Sequence, residues 1–185
     1  MQKLLNAKGP RRPVRLIFLM AGFLFLHACQ AGPDMVSIPI GGYNHTSAAI
    51  NKFSVNGAGG PNIGPFQGGG SQVCCGTIPR VWMPGLKAVV VWEVDPDPKS
   101  YAQWSEPMFS DEWIARMETQ RREYIHHEAV VDIPRYDSER VCSLKVHFLP
   151  CEKVAVSTTC YAPSHPDYPD KEYFKIKEGS ACQSQ

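Results

Sequence analysis

The sequence predicts an α+β fold: mainly antiparallel β-sheet with one principal α-helix, supported by disulfides. Three observations lead there. Several short segments alternate apolar and polar residues with period two, one segment after Ser110 has helical apolar spacing, and seven cysteines are available for cross-linking. With 185 residues, of which 43% are hydrophobic and 20% charged, the chain has the composition of one compact domain rather than of a disordered, coiled-coil or collagen-like protein.

Residues 48–55 read as a first strand. Residues 56–70 follow as a glycine-rich loop. It does not have the form of a phosphate cradle, because Gly57-Ala58-Gly59 runs into Gly60-Pro61-Asn62, no Lys-Ser/Thr closes it and no amphipathic helix follows. The clearest strand is Leu86 to Val94, bounded by Pro84-Gly85 before and Asp95-Pro96-Asp97-Pro98 after. One face, Leu86, Ala88, Val90, Trp92 and Val94, is wholly apolar, and Val89 with Val91 suggests cover on the other, as in a central strand. Ser110 with Asp111 and Glu112 caps a helix, whose stripe of Trp113, Ile114, Met117 and Tyr124 is expected to face the core. The period returns to two at Ile125, with His127, Ala129, Val131 and Ile133 on one face. His126 and Glu128 share the other, but neither a nucleophile nor an oxyanion site accompanies them, so they read as a surface pair rather than an acid–base pair.

Val141 to Leu149 and Lys153 to Cys160 form a hairpin about Pro150-Cys151-Glu152. Cys142, Leu144, Val146 and Phe148 take the apolar face, and Ser143, Lys145 and His147 the polar one. Antiparallel pairing then sets Phe148 against Val154, Val146 against Val156 and Cys142 against Cys160, within the span of a disulfide. Cys151 is left at the hairpin tip to reach Cys182, Cys74 or Cys75. Cys74 and Cys75 are expected to pair elsewhere rather than with each other, since a bond between neighbours strains the intervening peptide. Adjacent side chains on an extended chain diverge, which argues against zinc on Cys74, Cys75, His126 and His127. No metal or cofactor site is expected. Residues 162–170 read as loop, and Glu172 to Glu178 as a last strand with Phe174 and Ile176 inward.

The net charge of +1 hides an asymmetry. Lys3, Lys8, Arg11, Arg12 and Arg15 precede residue 29 with no Asp or Glu among them; taking these five away from +1 leaves −4. So acidic a body lacks the footprint of a nucleic-acid binder. The basic stretch, the apolar run Leu16 to Leu26 and then His27-Ala28-Cys29 form the n- and h-regions of a secretory signal; the run falls short of the about 20 residues that span a bilayer. Leu26-His27-Ala28-Cys29 resembles the lipobox of bacterial lipoproteins, which implies lipidation of Cys29. By the same similarity Gln30 implies the outer membrane, facing the periplasm. Residues 1–28 are thus expected to be a signal peptide, 29–42 a lipidated tether and 43–182 a single α+β domain.

Gly41-Gly42-Tyr43-Asn44-His45-Thr46, Phe53 to Gly57, Gly68 to Cys75 and Trp82-Met83-Pro84-Gly85-Leu86, taken in order, resemble a proteobacterial domain-of-unknown-function family of exported lipoproteins. Some of its members resemble immunity proteins for type VI secretion lipase effectors of the Tle class. The resemblance implies a binding protein, not an enzyme, that is held in the envelope and neutralises a secreted lipase. The alternative is a structural lipoprotein that binds another envelope component. Asp95, Asp97, Tyr101 and Trp104 are the candidate partner-binding residues: prolines stiffen the segment, carboxylates can steer a basic partner, and Tyr and Trp anchor interfaces.

Metabolic labelling with a clickable palmitate analogue should mark the wild type and not Cys29→Ala. Equal labelling of both would remove the lipid anchor.

Overall fold

Alternation along each strand sorts the side chains into an apolar layer and an outer face. The computed structural model describes residues 32–181; the expected signal peptide, residues 1–28, and Cys29 lie outside them. Eight strands form: β1 Met35–Asn44, β2 Ala49–Val55, β3 Ala58–Gly59, β4 Gly68–Pro79, β5 Lys87–Asp95, β6 Ile125–Asp132, β7 Leu144–Leu149 and β8 Lys153–Thr158. One helix of several turns, α1 Asp111–Arg121, lies between β5 and β6. The strands make two four-stranded sheets, β4-β1-β7-β8 and β3-β2-β5-β6. Pairing is antiparallel except between β1 and β7, which run parallel. The fold is sheet-dominated, with the helix as a peripheral addition.

The two sheets pack through Ile38 and Ile40 of β1, Phe53 of β2, Val90 and Trp92 of β5, and Val146 and Phe148 of β7. Phe148 stands at the centre. Its ring meets Phe53 edge-on at 5.1 Å and lies 6.0 Å from Trp92. In β5 the expected alternation is present, with Ala88, Val90 and Trp92 buried and Val89 and Val91 about 40% exposed. Asn56-Gly57 joins β2 to β3 in a two-residue turn with both φ angles positive, 50° and 83°, the conformation a tight hairpin needs and Asn-Gly supplies. Gly42 meets a different demand. A Cβ there would lie 2.5 Å from Ile63 and 3.3 Å from Phe53, so the inner face of β1 must stay bare for the sheets to close.

Four expectations need correction. The tether does not reach Gly42: β1 begins at Met35, because Ile38 and Ile40 alternate into the core behind the Pro and Gly residues that suggested a linker. The stripe on α1 does not face the core either. The helix buries no residue, and only Tyr124 beyond it is buried. Residues 172–178 form no strand; Lys171–Lys175 is a turn of 3₁₀ helix lying across a sheet face instead of extending its edge. Finally, Cys74 and Cys75 are at disulfide distance from each other, their Cα atoms 3.1 Å apart, instead of pairing elsewhere. They occupy a β-bulge: Ile38 faces Gly76 and Ile40 faces Val73, leaving Pro39 alone opposite the two cysteines. Pro39 has no N–H to give the ladder, which makes it a natural site for the skipped rung.

The β7–β8 register pairs Phe148 with Val154 and Val146 with Val156. Continued past the strand ends, it places Cys142 and Cys160 at disulfide distance with Cα atoms 4.8 Å apart. Peptide mapping under non-reducing conditions should therefore recover the Cys142 and Cys160 peptides joined, and reduction should separate them. Finding both thiols open to alkylation in the native oxidised protein would refute the cross-link.

Candidate functional site

The outer face of the β4-β1-β7-β8 sheet is polar in residue type yet buried. Tyr43 and Lys145, His147 and Ser157 alternate outward from β1, β7 and β8, and His45 follows just beyond β1. Parallel pairing sets Tyr43 directly beside His147. The His147 ring is stacked between those of Tyr43, at 5.1 Å, and His45, at 5.3 Å. The segment after β8 then folds back over these rings, with Tyr168, Tyr173 and Phe174 packed against His147. His147 is left with no exposure at all.

Burial obliges these groups to satisfy one another. His147 Nε2 lies 3.3 Å from both Asp170 Oδ2 and Tyr168 Oη, and Nδ1 lies 3.0 Å from His45 Nε2. The Ser157 hydroxyl also donates to Asp170. Lys145 donates from Nζ to the Tyr161 carbonyl at 2.5 Å and sits 5.0 Å over the Tyr168 ring. Burial works against the Asp170 carboxylate, yet the hydrogen bonds from His147 and Ser157 and the nearby His147 and Lys145 charges hold its pKa below the usual value. An ionised Asp170 only accepts, which puts a proton on Nε2 of His147, while His147 Nδ1 and His45 Nε2 share one proton between them. Burial, reinforced by the neighbouring His147, lowers the pKa of His45 to about 4.

Asn44, between the two outward rings of Tyr43 and His45, points the other way. Its Nδ2 donates to the carbonyls of Ala48, at 2.7 Å, and Gly64, at 3.0 Å, while Oδ1 accepts from the Thr46 amide and hydroxyl. The Tyr-Asn-His-Thr run is thus a strand end whose even position ties the chain and whose odd positions build the ring stack. Beside that stack lies a cleft of about 660 Å³, walled by the glycine-rich run after Pro61 and by Pro163, Phe174 and Ile176. Sequence reasoning assigned Ser143, Lys145 and His147 to a solvated face and so missed this arrangement. The available signal was the concentration of Tyr161, Tyr168, Tyr173 and Phe174 in a short tail, enough apolar surface to cover a sheet.

Of the residues singled out as partner-binding, Asp95 ends β5, and Asp97, Tyr101 and Trp104 lie in the excursion 96–124 that joins the paired strands β5 and β6. Asp95 is buried and committed: its carboxylate accepts the Asp97 amide at 3.0 Å and the Tyr101 hydroxyl at 2.8 Å. It cannot steer a partner. Tyr101 also meets the Tyr124 hydroxyl at 2.5 Å, and burial, with these hydrogen bonds, pushes its pKa far up. Trp104 is half-buried in a ring cluster with Tyr101 and Trp113, under the Arg116 guanidinium at 4.9 Å. Arg116 in turn pairs with Glu106 at 2.9 Å. Of the four, only Asp97 is fully exposed. The exposed apolar groups of the excursion are instead Met108, Phe109 and Ile114, at 70%, 74% and 45%. Cys74 and Cys75 on β4 and His126 and His127 on β6 belong to different sheets, and among the described residues no cluster of His, Cys, Asp and Glu could hold a metal.

A sequence profile described as Protein of unknown function (DUF3304) matches residues 43–156. No curated protein and no solved structure matches the chain.

Stability should depend on pH through His45. An unfolded imidazole takes up a proton near pH 6.5 that the folded one refuses until about pH 4. The unfolded state therefore binds more protons in that window, and stability falls as pH drops through it, by about 3 kcal/mol in total. Urea midpoints between pH 7 and pH 4.5 should fall for the wild type and fall less steeply for His45→Phe, which keeps a stacking ring and cannot titrate. Equal slopes would place the dependence on other groups.

Proposed function

The chain belongs to the DUF3304 family, and we propose that it acts as a protein-binding module of the cell envelope, anchored through Cys29, that neutralises a secreted lipase by steric blockade. The supporting observation is the excursion between β5 and β6. Val94 and Ile125 are paired across the sheet, so a turn of a few residues would connect the strands. Instead residues 96–124 project a helix in which no residue is fully buried, held together by its own aromatic cluster and the Arg116–Glu106 pair. Such a unit contributes little to the core, and its retention is explained by what it presents.

What it presents is an apolar tip, Met108 and Phe109, beside the exposed carboxylates Asp111 and Glu112 at the start of α1. Phe109 holds a left-handed backbone, φ 68°, with its ring 74% exposed. A bulky residue in that conformation carries a local cost that points to a role outside the fold. An apolar tip flanked by acids suits a partner with an apolar pocket and a basic rim. The electrostatics fit the acidic body, whose charge would attract such a partner at long range.

The purified protein should inhibit a cognate secreted lipase at near-stoichiometric ratio. Phe109→Ala should weaken the complex by about 30-fold, corresponding to about 2 kcal/mol for an interface hot spot, without lowering the melting temperature. Unchanged inhibition by Phe109→Ala would move the interface elsewhere; a folded wild type that binds no such lipase would remove the immunity role.

A further inference from the structure

Cys74 with Cys75 and Cys142 with Cys160 account for four of the seven cysteines. Cys151, at the tip of the β7–β8 hairpin, is also disulfide-bonded, which leaves Cys29 or Cys182 to partner it. Reach decides between them. Asn44, at the end of β1, pairs with Phe148, so the hairpin tip stands beyond the C-terminal end of β1. Cys29 approaches from the opposite end, six positions before Met35. β1 has ten residues, a length of about 30 Å at about 3.3 Å per residue. Six positions fully extended cover about 22 Å at most, and a disulfide adds about 6 Å between Cα atoms. Cys29 therefore falls short of the tip.

Cys182 follows a segment that ends beside it. After β8 the chain crosses the outer sheet face, laying Tyr168, Asp170, Tyr173 and Phe174 against His147, and then returns to the hairpin tip. Glu178 opens a final helical turn, Glu178–Ala181, and its carboxylate accepts the Ser47 amide at 3.0 Å, just past the end of β1. Glu178, Cys151, Glu152 and Lys153 line one cavity of about 310 Å³. Cys182 comes four positions after Glu178, the interval that returns a helix to the same face, about 6 Å further along its axis. The segment also needs a fastening. The turn Lys171–Lys175 buries no residue, and Phe174 and Ile176 stay 46% and 36% exposed, yet His147 beneath has no exposure. Noncovalent contact at this end of the cover is thin for so complete a seal.

We propose that Cys151 and Cys182 form a disulfide that clasps the C-terminal strap, residues 161–181, over the histidine stack, so that the oxidation state of this pair sets solvent access to His147. As the S–S bond forms, each thiol gives up one proton and one electron; an external disulfide accepts them and leaves as two thiols. A dithiol reverses the exchange and is itself oxidised to a disulfide. The clasp is independent of the lipase-blocking role assigned to the excursion.

The test uses the purified full chain, oxidised and in detergent. Trypsin without reduction should release residues 146–153 joined to residues 178–185, separately from the peptides that carry Cys142 and Cys160. Hydrogen exchange at the imidazole C2 position, read by mass spectrometry, should run at least tenfold faster at His147 in the double variant Cys151→Ser, Cys182→Ser than in the wild type. His126, exposed on the other sheet, should keep its rate. If the double variant does not fold, the same comparison is made on the wild type before and after reduction by a dithiol, with His126 as the internal standard. Attachment of Cys151 to any other cysteine, or its alkylation without reduction, overturns the pairing. An unchanged rate at His147 once the pair is removed or reduced overturns the clasp.

Discussion

Parallel pairing of β1 with β7 is the constraint on which the rest of the structure depends. It brings together segments about a hundred positions apart and gives β1 neighbours on both edges. It also decides what lies on each side of the sheet. Inward, Ile40 beside Leu144 and Phe148 complete the apolar layer against Trp92 and Phe53. Outward, the same register lays Tyr43 against His147 and lets His45 stack on the other side of that ring. Shifting β7 by one residue would exchange the two sets, driving Lys145 and His147 into the apolar core and Val146 outward. The apolar core and the buried polar stack are therefore alternative faces of one registration, each reinforcing the other.

The two layers differ in how they hold. The inner one is ordinary close packing, tolerant of direction and dependent on area. The outer one depends on complete pairing: His147 has a partner at each nitrogen, Asp170 takes protons from two donors, and the Lys145 ammonium reaches a carbonyl and an aromatic face. A network of this kind is costly if one member is lost and specific when all are present. The same chain of hydrogen bonds anchors the C-terminal segment against the sheet.

Local alternation made much of this legible. Residues 86–94, 125–133 and the 141–160 hairpin each declare their strand by a period of two, and the hairpin register follows from matching apolar faces, so the placement of Cys142 and Cys160 at disulfide distance could be read without a structure. What could not be read was nonlocal. Nothing in the Cys142–Leu149 stretch says that its polar face is covered, because the covering residues Tyr168, Asp170 and Phe174 lie in a proline-rich segment without periodicity. Ile38 and Ile40 were obscured by the Pro39 between them, which signals a break in pairing and here marks a bulge instead. Asp95 looked like a steering charge by its position at a strand end, but only the fold shows Tyr101 and the Asp97 amide closing over it. Helical spacing likewise located α1 and its Ser110 cap, where the hydroxyl accepts the Trp113 amide, but amphipathic pattern alone does not say whether the apolar side meets the protein's own core.

The β1–β7 pairing also has a temporal consequence. A chain made from its N-terminus produces β1, β4 and the whole second sheet before residue 144 exists. Until then β1 can pair only with β4, and its other edge, from Ile40 to Asn44, is an open template for any strand it meets. Closing it requires a contact of very long sequence separation, the kind that slows folding most. The nascent protein therefore spends its vulnerable period with one specific edge unguarded, and the hairpin that seals it arrives almost last. Whatever accompanies the chain during synthesis has that single edge to shield.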